Sequence, residues 1–271
     1  MTPPAERDAR AEITSATNPT LTFVRSLSRR DTRAAERAFV VEGLRAVRDG
    51  LQVGATPRLL LLRDDERAET LRRELAVNAR DPALRWVAPR LFDKLSEVQA
   101  PQGVLAVFPW PELTPAPHGA PLALVLDRLR DPGNLGTLLR SAAGAGVSAV
   151  YLTPESVDPW NPKVVRAGMG AHFRLPLLPF DDEAAERLRE TLPLRVDASA
   201  EATVSHDAVD WTQPAALVIG GEAEGVSPAL EAWASVGVAI PLAGGVESLN
   251  AAVAGSILLF EAARQRRLAG P

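Results

Sequence analysis

Five short runs of almost unbroken apolar residues constrain this chain more than anything else in it: Leu122–Leu126, Ala149–Leu152, Leu175–Leu178, Ala216–Ile219 and Val236–Ile240. Each is of strand length. Helix-like stretches separate them at Gly133–Gly144, Asp182–Thr191 and Pro228–Ala234, and a long helix follows over Asn250–Arg267. A strand that is apolar on both faces must be covered on both faces, which predicts a parallel sheet between layers of helices. The fold class is α/β.

The same alternation occurs on a smaller scale earlier in the chain. Ala38–Val41, Leu59–Leu62, Leu84–Val87 and Val104–Phe108 have strand character, and Glu42–Leu51 and Asp64–Val77 have helical spacing. The order predicts a small βαβαβ sandwich. Between the two regions stand Pro109, Pro111, Pro115, Pro117 and Pro121. Proline fixes φ and removes a donor, so this stretch predicts an extended linker. The expected plan is a mobile tail over residues 1–17, a small domain over 18–109, a linker over 110–120 and a larger domain over 121–271.

Composition excludes several chemistries. The chain has no cysteine, so it has no disulfide, thiolate metal site or cysteine nucleophile. Its three histidines, His118, His172 and His206, lack the short spacing of zinc ligands, and no metal is expected. The longest apolar runs fall short of the roughly 18 residues that span a bilayer, and the first residues have no signal-peptide character, so a cytoplasmic setting without a membrane partner is expected. The formal net charge of −4 opposes general nucleic-acid affinity. Arg25, Arg29, Arg30, Arg33 and Arg37 nevertheless cluster within a few turns. Such a cluster can contact phosphates, although a solvated helix face is the commoner explanation of an isolated arginine cluster.

Glycine and polar residues gather where the later strands end, which is where open parallel sheets bind ligands. After Leu122–Leu126 comes Asp127-Arg-Leu-Arg-Asp-Pro-Gly-Asn-Leu-Gly-Thr-Leu-Leu-Arg140, in which Asp131-Pro132 signals a helix start, with Asn134 at its mouth and Arg140 six positions on. A capped helix with a surface arginine explains these residues as well as a phosphate or carboxylate site does. After Ala216–Ile219 comes Gly220-Gly-Glu-Ala-Glu-Gly225, where the backbone can approach a ligand closely. After Val236–Ile240 comes Pro241-Leu-Ala-Gly-Gly-Val-Glu-Ser-Leu-Asn250, in which Ser248 or Asn250 can cap the last helix. No nucleotide-binding P-loop or G-x-S-x-G elbow is present. Gly144-Ala-Gly-Val-Ser-Ala149 lies between a helix and a strand, the reverse of the dinucleotide-binding order.

Taken together, the three corners resemble the SpoU (TrmH) family of S-adenosylmethionine-dependent RNA ribose 2′-O-methyltransferases, within the SPOUT class. Asn134, Gly136 and Arg140 match its Asn-x-Gly-x-x-x-Arg motif. Gly220–Gly225 matches Gly-x-Glu-x-x-Gly, with Glu222 as the acid. Ile240–Asn250 matches Ile-Pro-x-x-Gly…Ser-Leu-Asn. Ser156–Arg166 and Gly170-Ala171 are similar too, and Ala38–Val47 resembles the substrate-binding domain that precedes the catalytic domain in many members.

The resemblance implies a trefoil knot in the catalytic domain and a homodimer with the active site near its interface. It implies S-adenosylmethionine held by Ile219, Gly220, Gly221, Ile240, Leu242 and Leu249, and a catalytic set of Asn134, Arg140, Glu222, Ser248 and Asn250. The RNA contacts it points to are Arg25, Arg29, Arg30, Arg33 and, beside the catalytic pocket, Arg166. The N-terminal domain favours ribosomal over transfer RNA. A non-catalytic RNA-binding paralogue is the rival class, and a resistance enzyme acting on ribosomal RNA has the same motifs. The arginine matching Arg140 is assigned to activation of the hydroxyl; a guanidinium is a poor base near neutrality, so charge stabilisation is the simpler role.

Overall fold

The computed structural model describes residues 12–115, 119–222 and 224–270. The chain forms two compact units, Met1–Pro111 with Trp160–Phe173, and Glu112–Pro159 with Arg174–Pro271.

The first unit is built on a five-stranded sheet of β1 (Glu12–Ile13), β2 (Ala38–Glu42), β3 (Leu59–Arg63), β4 (Leu84–Val87) and β5 (Val104–Pro109), in the order β1-β4-β3-β5-β2. β1, β4 and β3 run parallel, whereas β5 is antiparallel to both β3 and β2. The sheet is thus mixed, because β5 inserts between β2 and β3. Ile13 is buried and pairs with Val87, so the tail expected over 1–17 does not reach Glu12; residues 1–11 lie outside the described residues.

Among the described residues, four helices of this unit have no counterpart in the sequence expectations: Pro19–Ser26, Arg30–Glu36, Pro89–Phe92 and Pro162–Gly168. The first starts as the composition allows, with Asn18 Oδ1 accepting from Thr20 N at 2.8 Å and proline at its first position.

The sequence expectation kept residues 121–271 together, but Trp160–Phe173 packs within the first unit. Aromatic rings hold it there. Trp160 lies 4.9 Å from Phe39 and stacks on Trp110 at 5.0 Å, and Phe173 meets Phe108 edge-on at 4.8 Å. Such pairs contribute about 1 kcal/mol each beyond their buried area. Gly50 makes room: a Cβ there would stand 2.7 Å from Phe173. Trp110 therefore belongs to this unit rather than to the linker. Of the remaining linker, residues 112–115 and 119–120 form no helix or strand, and Pro117 and His118 lie outside the described residues.

The second unit contains seven strands, β6 (Leu122–Asp127), β7 (Ala149–Leu152), β8 (Leu177–Pro179), β9 (Leu194–Ala198), β10 (Val204–Ser205), β11 (Ala215–Gly220) and β12 (Val236–Ala239). Their order is β10-β12-β9-β11-β6-β7-β8, and every pairing is parallel. This is the expected α/β sheet. β6 and the greater part of β11 are buried, as continuous apolar runs require.

β9 is missing from the sequence expectations because Arg195 and Asp197 interrupt its apolar pattern. Arg195 donates to Trp233 O at 2.9 Å and lies over the Trp233 ring. Asp197 is buried, which raises its carboxyl pKa above the ordinary value.

The C-terminal helix, Ala251–Ala269, packs on the helix Pro132–Ala145. A Cβ on Gly255 would stand 2.5 Å from the Leu138 side chain and 3.2 Å from that of Ile219, so a larger residue would have to displace them. Among the described residues no helix is long and apolar enough to cross a membrane.

The far end of this helix is tied down by Arg266. Its guanidinium donates to the carbonyls of Ala120, Pro121, Trp211 and Gln213 at 2.6, 3.3, 2.8 and 3.0 Å. Burial holds its pKa below the ordinary value. Arg266→Ala leaves these carbonyls without that donor and is expected to destabilise the chain by about 2 kcal/mol. Urea unfolding with a lowered midpoint and unchanged m-value is the check.

Candidate active site

The chain leaves β6 for β7 and β8 on one side of the sheet, and β9 to β12 occupy the other. The switch in winding lies between β6 and β11. Crevices at the carboxyl ends of such strands are ligand sites. In register, Gly220 at the end of β11 stands opposite Asp127 at the end of β6. The first and second glycine-rich corners are therefore neighbours.

Two residues that sequence reasoning overlooked bind these corners together. Asp127, only 2% exposed, accepts a hydrogen bond from Ser227 N at 2.7 Å. Arg128 takes a left-handed conformation at φ 53° and reaches across to Glu224, donating to its Oε2 at 2.6 Å and to Gly225 O at 3.4 Å. A charged residue closing an otherwise apolar strand was the available signal for Asp127. The glycines allow the closure: a Cβ on Gly220 would fall 2.1 Å from Gly225 C, and one on Gly221 would fall 2.6 Å from Arg128 O.

Side chains from all three corners then join in a chain of hydrogen bonds. Asp131 caps the helix Pro132–Ala145 and accepts from Asn134 N at 2.7 Å. Asn134 Nδ2 donates to Glu222 Oε1 at 2.6 Å, and Asn250 Nδ2 donates to Asn134 Oδ1 at 3.0 Å. Asn250 Oδ1 caps the C-terminal helix by accepting from Ala252 N and Val253 N. Asn250 is thus both a helix cap and a member of the cluster. Each amide in the chain has one donor and one acceptor role assigned by its partners.

Beside this cluster lies a cavity of about 590 Å³. All six residues expected around a cofactor line it: Ile219, Gly220, Gly221, Ile240, Leu242 and Leu249. Glu222, Ser248 and Asn250 line it as well, and Ala198–Ala200, after the unforeseen strand β9, add a wall. Asn134 joins through its bond to Glu222.

Arg140 is not part of the lining. It is exposed, six positions beyond Asn134, which is about 9 Å along the helix axis and about 120° away around it. Among the described residues it has no hydrogen-bond or ion-pair partner.

The expected basic face is brought together only in part. Arg25, Arg29 and Arg30 are exposed in the first unit. Arg33 is not: it is buried, and its guanidinium donates to Leu27 O and Ser28 O at 2.8 and 2.7 Å. Its charge serves the carbonyls that follow the helix Pro19–Ser26, so it leaves the set of RNA contacts. Arg166 lies in the first unit, on the helix Pro162–Gly168, within 3.8 Å of Glu97.

Gly221→Ala is expected to push the Gly221–Gly225 loop away from Arg128 and to weaken binding of S-adenosylhomocysteine at least tenfold in calorimetry. The fold should survive, because the residue sits at a strand end.

Comparison with known proteins agrees with this geometry. Residues 121–260 match the SpoU rRNA Methylase family, and residues 18–106 match the MRM3-like substrate binding domain. The mitochondrial rRNA methyltransferase 3 of Mus musculus is 37% identical over 92% of this chain and 72% of its own length. The 23S rRNA (guanosine(2553)-2'-O)-methyltransferase RlmP of Bacillus subtilis is 29% identical over 92% of this chain and 98% of its own. The crystal structure of the SpoU methyltransferase AviRb from Streptomyces viridochromogenes, in complex with the cofactor AdoMet, superposes with a TM-score of 0.81 at 30% identity, covering 94% of this chain and all of that one. With a family match over more than half its length, this chain belongs to the SpoU rRNA methylase family.

Proposed function

We propose that this protein transfers a methyl group from S-adenosylmethionine to a ribose 2′-hydroxyl of ribosomal RNA. The observation that carries the proposal is the strand-end cavity at the switch in sheet winding, lined by the second and third corners and tied to the first by the hydrogen bonds of Asn134 with Glu222 and Asn250.

The residues present fit S-adenosylmethionine. The cavity falls within the usual range of small-molecule sites, roughly 300–1,000 Å³. Ile219, Ile240, Leu242 and Leu249 offer apolar walls to a flat ring, and Gly220 and Gly221 bare the backbone for polar contacts. The bound cofactor supplies an electrophilic methyl on a sulfonium.

The protein's own residues position the nucleophile. Asn134 is held from both sides, by Glu222 and Asn250, so its amide presents a fixed orientation to the ribose. Ser248 adds a hydroxyl at the rim. Accepting that methyl would require the ribose 2′ oxygen to give up its proton. Arg140 stabilises the developing alkoxide and orients a neighbouring phosphate, which takes the proton.

Arg140 reaches this role through a homodimer. It shares a helix face with Gly144, four positions on, and a Cβ on Gly144 would stand 3.5 Å from Phe260. Val253, Ile257 and Phe260 form an exposed apolar stripe along the C-terminal helix; Phe260 alone is 49% exposed. Burying this stripe against a second copy carries Arg140 into the interface, where the cavity of the partner can use it. The trefoil knot belongs to the same proposal, supported by the position of β9 between β11 and β12.

Arg140→Ala is expected to abolish methyl transfer from labelled S-adenosylmethionine to ribosomal RNA while leaving S-adenosylhomocysteine affinity nearly unchanged. Near-normal turnover would remove Arg140 from the mechanism. Phe260→Asp is expected to yield a monomer in sedimentation equilibrium with much reduced activity. A dimer of undiminished stability would place the interface elsewhere.

A further inference from the structure

A second cavity, of about 280 Å³, lies wholly within the first unit. Its walls come from five separate stretches of sequence. Arg25 and Ser28 follow from the first helix, Glu42 closes β2, and Lys94 and Ser96 follow the short helix Pro89–Phe92. Arg166 completes the rim from the segment Trp160–Phe173, whose helix packs against β2. Beneath the rim the floor is aliphatic, with Val24, Val41, Leu105 and Val165 all buried.

The charges have a definite arrangement. Three cations, Arg25, Lys94 and Arg166, face the cavity together with two carboxylates, Glu42 and Glu97. Arg25 spends one donor on Ala16 O at 3.1 Å, and Arg166 stands 3.8 Å from Glu97. Lys94 is exposed and has no hydrogen-bond or ion-pair partner among the described residues. Glu42 is fixed in place: Ser96 Oγ donates to its Oε1, and Glu97 N approaches its Oε2 at 3.4 Å. A carboxylate has about four acceptor sites, so Glu42 retains capacity for two further donors.

We infer that this cavity holds one unpaired nucleotide of the RNA substrate, with its phosphates at Arg25 and Lys94 and its base edge at Glu42. The inference deepens the proposed function and rests on it. The chemistry favours RNA over an acidic peptide. A peptide carboxylate drawn to the cations meets Glu42 and Glu97 and is repelled. A nucleotide satisfies both signs, because its phosphate is anionic while its base carries N–H donors. The aliphatic floor accepts a flat ring, and the volume suits one nucleotide but not a helix of RNA. Guanine, with adjacent N–H donors at N1 and N2, matches a carboxylate best; uracil offers one.

The test uses the full chain and fluorescein-labelled single-stranded RNA 10-mers of adenine and uracil, with either guanine or uracil at the centre. Anisotropy titrations at several salt concentrations are expected to show tighter binding of the guanine-containing strand. Lys94→Ala and Arg25→Ala should each weaken both strands about three- to tenfold and flatten the salt dependence by about one phosphate contact. Glu42→Gln should erase the preference for guanine without weakening the uracil strand. Arg80→Ala removes an exposed cation of the same unit outside the cavity and should change binding less than twofold.

Equal losses in Arg80→Ala and Lys94→Ala, unchanged binding in Lys94→Ala with Arg25→Ala, or failure of the wild type to bind either strand would overturn the inference. Calorimetry with S-adenosylhomocysteine separates the two readings. Binding of that compound together with any of these RNA results overturns the nucleotide cavity and leaves the methyltransferase reading standing; failure to bind it overturns the latter.

Discussion

The pairing of β11 with β6 is the constraint on which the catalytic unit depends. Six successive register pairs run from Ala215 opposite Leu122 to Gly220 opposite Asp127. Both strands are apolar on both faces, so the pattern alone does not set this register; their ends do, because a slip would carry the buried carboxylate of Asp127 away from Ser227 N. That register puts Asp127 within reach of Ser227 N and Arg128 within reach of Glu224. The glycine loop is held at its root by a buried carboxylate and along its rim by an arginine. Asn134, Glu222 and Asn250 meet as a consequence, although they are separated by 88 and 116 residues along the chain.

The C-terminal helix depends on the same pairing. It enters through Asn250, which caps it and bonds to Asn134. It passes Leu138 and Ile219 at Gly255, where a Cβ would crowd both side chains, and ends with Arg266 bound to the carbonyls at the strand starts. A helix fixed at both ends presents its remaining apolar residues, Val253, Ile257 and Phe260, at constant positions on the surface. Cavity and exposed apolar stripe are therefore two sides of one helix–sheet arrangement.

The first unit solves a different problem. Its sheet mixes parallel and antiparallel strands, and one flank of it is completed by a segment drawn from the middle of the catalytic sequence. Trp160, His172 and Phe173 enter an aromatic cluster with Phe39 and Phe108. With them comes Arg166, which joins Arg25 and Lys94 around the smaller cavity. The sequence contained a sign of this helix in Asn161-Pro162, where Asn161 caps it by accepting from Lys163 N at 2.9 Å. Nothing local to that dipeptide states which unit it joins.

The sequence by itself determined the apolar runs and the glycine corners that end them, and so the α/β class, while the six residues expected around a cofactor came from the family resemblance. Those properties follow from local composition: burial needs apolar strands, and close backbone approach needs glycine. The tertiary structure decided what such patterns leave open. It inserted β9, with Arg195 and Asp197, between β12 and β11, since their charges are accommodated only by Trp233 and the surrounding strands. It buried Arg33 against Leu27 O and Ser28 O while leaving its neighbours in solvent. It assigned Asn250 two partners, placed Arg140 outside its own cavity and drew Trp160–Phe173 into the other unit. Each of these outcomes is set by contacts between residues brought together by strand pairing and aromatic packing, and their energies belong to the pairs rather than to any residue read alone.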